Sequence, residues 1–169
     1  TYPASDVRIL AELGVRHVAE NRDQEAAPKA AECADLPLTW HFVGQLQTNK
    51  VRSVVSYSDI VQSVDRPKLI EALPRQAEGA GREIGCLIQV ALDADQRGAE
   101  SADGAAGVRG GVAPEGIEEL AGLIADAPGL WLGGLMTVAP LAGPYAGRER
   151  AAFERLREFS TTLRSAHPA

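Results

Sequence analysis

The chain has 169 residues, of which 45% are hydrophobic, 24% charged and 5% aromatic. This length suffices for one ordinary domain that buries about 70% of the surface of its unfolded chain. It excludes a disulfide-stapled miniprotein, and no apolar stretch approaches the roughly 20 residues that a bilayer requires. The 17 basic and 23 acidic side chains give a net charge of −6, which leaves no basic surplus for nucleic acid. We therefore expect a single domain over residues 1–169, with neither nucleic acid nor a membrane as partner.

The two cysteines, Cys33 and Cys86, are far apart in sequence, and neither belongs to a CxxC or CxxH pair. This spacing predicts no metal site and no disulfide framework. Both thiols are expected to be buried as small apolar side chains. Because no signal-peptide pattern is recognised, the expected location is the cytoplasm.

Strand-like and helix-like segments alternate along the chain. A first amphipathic helix is predicted from Ser5, as its N-cap, to Gly14. Apolar runs predict strands over residues 15–18, 39–43, 60–64, 86–92 and 130–138. Each predicted strand is followed by a helical pattern, and Asp65 is placed to cap the helix that carries Pro67 in its first turn. A glycine- and alanine-rich loop over residues 94–111 separates the fourth strand from its helix.

This alternation, without a hairpin signal between strands, predicts a parallel sheet with helices outside. Two closures are compatible with it. An open doubly wound sheet accommodates five strands, whereas a complete (β/α)8 barrel requires about 200 to 250 residues. The pattern alone therefore favours the open sheet.

In both folds, ligands bind at the carboxyl ends of the strands. Candidate ligand contacts lie at or near these ends: Asn21 follows the first strand, His41 lies in the second and Met136 lies near the end of the fifth. Each also has an ordinary structural interpretation. Asn21 is a typical turn residue, His41 could be a hydrogen-bonded packing residue, and Met136 could fill the core.

Several well-known site motifs are absent from the sequence. It contains no GxxxxGK[ST] phosphate loop, no GxGxxG dinucleotide fingerprint and no GxSxG nucleophile elbow. Neither HExxH nor an EF-hand loop occurs, so no metal site is predicted. In the glycine-rich loop, Arg109 is a candidate for a phosphate-facing or entrance-facing side chain.

The motifs at the strand ends resemble those of the pyridoxal phosphate homeostasis protein family, over essentially the whole chain. In chain order they are AENRDQE at 19–25, WHFVGQLQTNK at 40–50, QSVDR at 62–66, IQV at 88–90, RGG at 109–111 and GLMT at 134–137.

The resemblance implies a single-domain (β/α)8 barrel of the alanine racemase N-terminal type, with about five of its βα units in this chain. It implies pyridoxal 5′-phosphate (PLP) as the cofactor, surrounded by Asn21, His41 and Met136. Asn21 would donate to the phenolic oxygen, His41 would pack near or polarise the ring, and Met136 would cover one face. The Schiff-base lysine of the family is expected immediately before Thr1, outside this sequence, as are the missing strands.

Two further departures from the family pattern are visible. Ala19 stands where many relatives carry glycine, and the region between Leu92 and Arg109 is longer than usual.

The resemblance leaves two functions open. The first is a non-catalytic carrier and buffer of PLP in intracellular cofactor homeostasis, which would serve PLP-dependent apo-enzymes as a monomer or weak dimer. The second is a PLP-dependent amino-acid racemase, which needs proton donors on both faces of a carbanion. The tyrosines at positions 2, 57 and 145 are predicted at a loop, a helix end and a loop, and nothing in the sequence places one of them at the site. This favours the carrier.

Overall fold

The computed structural model describes residues 2–92, 110–141 and 143–167. Its strands are β1 His17–Glu20, β2 Thr39–Phe42, β3 Ile60–Val64, β4 Ile84–Gln89 and β5 Leu130–Met136. Its α-helices are α1 Ala4–Glu12, α2 Asp23–Glu32, α3 Val51–Tyr57, α4 Pro67–Ala80, α5 Ile117–Asp126 and α6 Glu149–Ala166. Single 3₁₀ turns over Thr48–Lys50 and Pro114–Gly116 precede α3 and α5. Among the described residues, no helix has the length and apolar character that a membrane crossing demands.

The five strands form one sheet in the order β1-β2-β3-β4-β5, and every neighbouring pair is parallel. Right-handed crossovers between consecutive neighbours place all connecting helices on the same face of the sheet. A doubly wound sheet instead reverses its strand order and carries helices on both faces. The doubly wound strand order that the pattern alone favoured is therefore wrong. Periodicity identifies the elements, and it is the same in both topologies.

The two faces of the sheet differ in character. One face packs against the helices, and its side chains include the buried Trp40, Phe42 and Val61. On the helix side, α4 contributes Leu69 and Leu73, which are both fully buried. The opposite face carries alternating residues of the same strands, among them His17, Ala19, His41 and Gln62. We call it the inner face.

The first helix and strand differ from their predicted bounds. Pro3, not Ser5, occupies the N-cap of α1, and Ser5 lies inside the helix. At the other end, the Val15 amide donates to the Leu10 carbonyl at 3.0 Å, while Gly14 has a positive φ of 96°. Val15, which was predicted to begin the strand, therefore belongs to the turn that closes α1, and β1 begins only at His17.

Both cysteines are buried as predicted, with Cys33 1% and Cys86 0% exposed. Burial raises the pKa of both thiols, that of Cys86 to about 12. We expect neither to react with iodoacetamide at pH 8 in the native protein, because the thiolate is the reactive form. Peptide mapping by mass spectrometry checks this, with urea-unfolded protein as the positive control. Stoichiometric labelling of either peptide in the native state would contradict it.

Candidate ligand site at the carboxyl edge of the sheet

Because all five strands are parallel, their carboxyl ends lie along one edge of the sheet. Polar groups follow at this edge, as the sequence predicts. Asn21 comes directly after β1, Gly44 and Gln45 follow β2, Asp65 follows β3, and Gln89 ends β4. The edge thus combines amide, carboxylate and exposed backbone groups. No group of three or more metal-ligating side chains occurs among the described residues.

The loops after β1 and β2 touch through their backbones. The Val43 amide donates to the Glu20 carbonyl at 2.9 Å, which extends the ladder beyond the strands. A Cβ atom placed on Gly44 would lie 2.0 Å from the carbonyl oxygen of Asn21, so only glycine fits there. The Asn21 side chain is exposed and has no hydrogen-bond partner among the described residues. Its backbone is therefore fixed while its amide is available to a ligand.

His41 has both ring nitrogens engaged by the protein. Its Nε2 lies 3.0 Å from His17 Nδ1, and its Nδ1 lies 2.8 Å from Gln62 Nε2. Burial lowers the pKa of His41 below its ordinary value, the neighbouring His17 lowers it further, and Asp59 opposes both. His41 therefore has only its ring face left for a ligand.

His17 and Gln62 were missed as site residues at the sequence level. A usable signal existed for His17, because it alternates with Ala19 and Asn21 and so shares their face of β1. Gln62 lies in the middle of β3, between Val61 and Ser63.

Asp65 does not cap α4, contrary to the prediction. The N-cap is Arg66, without a side-chain hydrogen bond, and the helix begins at Pro67. Instead, the Asp65 side chain is only 8% exposed and accepts from Arg66 Nη1 at 2.6 Å, while Arg66 Nη2 donates to the Leu46 carbonyl at 2.7 Å. The ion pair thus connects the loop after β3 to the loop after β2.

Residues 110–112 return to the carboxyl edge beside β4. The Val112 amide donates to the Gln89 carbonyl at 2.8 Å, and Gln89 Nε2 donates to the Gly110 carbonyl at 2.8 Å. A Cβ atom on Gly110 would lie 2.9 Å from Asp65 Oδ2, so the backbone passes close to that carboxylate. The neighbouring Arg109 and most of the predicted loop 94–111 lie outside the described residues.

Met136 is the last residue of β5 and is half-buried. Its carbonyl accepts from the Val90 amide at 2.8 Å, and Thr137 Oγ1 donates to the Val90 carbonyl at 2.7 Å. In the sheet order, β5 and β1 are the outermost strands, so Met136 and Asn21 end strands at opposite sides. Barrel curvature makes such strands face each other across the mouth. A joint site of Asn21, His41 and Met136 stays a prediction.

None of the three lysines lies on a strand. Lys29, on α2, pairs with Glu20, and Lys50 Nζ lies 3.8 Å from Asp23 Oδ2. Lys68 is exposed on α4. Within the 169 residues, no lysine amine is therefore placed at the inner face.

The family model described as alanine racemase, N-terminal domain, matches residues 2–169. The chain belongs to this family. The predicted barrel class is thereby confirmed, and the parallel sheet in sequential order is its visible part. The alanine racemase of Clostridium difficile has the same fold, with a TM-score of 0.64 at 13% identity over 94% of this chain and 39% of that chain.

Other proteins are more similar to this chain in sequence. The pyridoxal phosphate homeostasis proteins of Pseudomonas aeruginosa and Mycobacterium leprae are 38% and 37% identical over 96% and 99% of the chain. The chain spans 66% of the length of each, just under two thirds. The structure of PipY from Synechococcus elongatus PCC7942 with PLP bound has a TM-score of 0.79 at 35% identity, over 99% of this chain and 73% of that one.

Proposed function

We propose that the protein carrying this chain binds PLP at the carboxyl edge of the barrel and acts in intracellular cofactor homeostasis. The observation that carries this proposal is the similarity to PipY, a structure with PLP bound, which extends over 99% of the chain at 35% identity. The names of the curated relatives support the same assignment.

The residues at the edge fit such a ligand. PLP presents a phosphate, a phenolic oxygen and an apolar ring, and when bound it supplies an aldehyde that bonds reversibly to a lysine amine with release of water. The exposed Asn21 amide would donate to the phenolic oxygen, the His41 ring face would lie against the cofactor, and the Met136 thioether would cover it. The amine would come from a lysine preceding Thr1, because Lys29, Lys50 and Lys68 are placed elsewhere.

The carrier function is proposed over the racemase alternative. A racemase needs an acid or base on each side of the reacting carbon. Tyr57 is buried among the helices, and its burial, together with Asp23 and Glu20, raises its pKa. Tyr2 precedes α1 and Tyr145 precedes α6, so none of the three described tyrosines lies on a strand. As parts of this proposal, residues 1–169 belong to one cytoplasmic barrel domain, PLP-dependent apo-enzymes receive the cofactor, and the protein is a monomer or weak dimer.

The test is titration of PLP into the full-length protein, followed by borohydride reduction and intact mass measurement. We expect a visible absorption band and, after reduction, an increase in protein mass that corresponds to one covalently attached PLP. An unchanged spectrum and mass would refute PLP binding, and amino-acid racemisation at ordinary enzyme rates would overturn the carrier function.

We expect the Asn21→Ala variant to bind PLP about tenfold more weakly, because the variant loses one hydrogen bond to a charged group. Asn49→Ala is the matched control, because Asn49 is the only other asparagine and is exposed in the 3₁₀ turn. Equal affinity of the two variants would remove Asn21 from the site.

A further inference from the structure

Three side chains from neighbouring strands form a hydrogen-bonded row on the inner face. His17 of β1, His41 of β2 and Gln62 of β3 are joined by contacts of 3.0 Å and 2.8 Å. The two imidazole rings lie 5.3 Å apart between centroids and are inclined by 52°. The row therefore crosses β1, β2 and β3 on the amino-terminal side of the polar carboxyl edge.

The direction of the row follows from the orientation of the Gln62 amide. In the structure, Gln62 Nε2 faces His41 Nδ1, and because an amide nitrogen donates and does not accept, His41 Nδ1 is the acceptor. In a neutral imidazole the proton then resides on His41 Nε2, which donates to His17 Nδ1. His17 in turn carries its proton on Nε2. One amide thus determines the tautomers of both histidines.

We infer that Gln62 is a positioning residue that holds His41 as the neutral Nε2–H tautomer, so that His41 meets a ligand through its ring face alone. The tautomer follows from the row itself, whereas the effect on PLP rests on the proposed function. An imidazole with both nitrogens engaged cannot exchange a proton with the ligand. The row therefore favours a holding site over a proton-transferring one.

The charged surroundings of His41 agree with a neutral ring. Asp59 is the acidic group that acts on it, and this carboxylate is already engaged. Its Oδ2 accepts from the Trp40 amide at 2.7 Å, and its Oδ1 accepts from Arg82 Nη2 at 2.6 Å. The remaining titratable neighbour is His17, which disfavours a second positive charge.

The decisive measurement is nitrogen NMR of the cofactor-free full-length protein with ¹⁵N-labelled histidine, near pH 8. We expect His17 and His41 both to carry their proton on Nε2. In Gln62→Glu, the carboxylate only accepts, so the proton of His41 should move to Nδ1. Gln62→Met should leave His41 as a mixture of tautomers. Gln76→Glu, on α4, is the matched control and should leave both histidines unchanged.

Wild-type His41 with its proton on Nδ1, or unchanged histidine signals in Gln62→Glu, would overturn the inference. Should Gln62→Glu fail to fold, Gln62→Met decides it, because a His41 that keeps the single Nε2–H tautomer there would show that Gln62 does not hold it.

A second arm measures PLP binding by the same proteins. The Gln62→Met variant, which adds no charge, is expected to bind PLP about fivefold more weakly, because His41 is no longer held in one tautomer. Unchanged PLP affinity together with a mixture of His41 tautomers would overturn the link to the ligand. Failure of the wild-type protein to bind PLP would instead refute the proposed function and leave the NMR result standing.

Discussion

Replacing Gly44 by alanine is expected to weaken PLP binding by about tenfold or more and to destabilise the fold by about 1–3 kcal/mol. The new methyl group would lie 2.0 Å from the Asn21 carbonyl oxygen and 2.7 Å from its carbonyl carbon. Both atoms belong to the backbone, so no side-chain rotation relieves the overlap. The loop after β1 has to move, and Asn21 moves with it.

Equilibrium urea unfolding and PLP titration of the full-length protein check this prediction. The control is Gly79→Ala on α4, where the added Cβ meets no atom within 4 Å and the glycine is exposed. It should leave PLP affinity unchanged and stabilise the helix by up to about 1 kcal/mol. A Gly44→Ala protein with wild-type stability and affinity would show that the two loops do not pack as described.

The secondary structure was largely predictable from the sequence because each element buries a continuous apolar face. The strand over residues 60–64 has the predicted bounds, and the buried stripe of α4 follows helical spacing. The strand order was not predictable from this periodicity, since a barrel and a doubly wound sheet share it. Motifs that resembled a known family decided between them.

The candidate site was predictable only at single positions. Asn21, His41 and Met136 stand at or near strand ends, which parallel topology marks as ligand positions. Their partners depend on the register between strands that are distant in sequence. The contacts of Gln62 with His41 and of Gly44 with Asn21 each span about 20 residues, and no local pattern encodes them. Asp65 shows the reverse error, because a local capping rule yields to its ion pair with Arg66.

Replacing Lys29 by methionine is expected to cost about 1–3 kcal/mol of unfolding free energy, because it leaves the half-buried Glu20 carboxylate without its partner. The side chains of Lys29 and Glu20 are 7% and 17% exposed, and they join α2 to the end of β1 in a close ion pair. Among the described residues, Lys29 is the only cation paired with Glu20.

The double variant Glu20→Met, Lys29→Met separates charge from packing. It should recover most of the lost stability, because two apolar side chains of similar size avoid the desolvation of both ions. Lys68→Met, at an exposed lysine of α4, should change stability by no more than about 0.5 kcal/mol. Urea unfolding of the wild type, Glu20→Met, Lys29→Met and the double variant gives the coupling energy. A Lys29→Met protein as stable as Lys68→Met would mean that water reaches Glu20, and the pair would then not fix the residue that precedes Asn21.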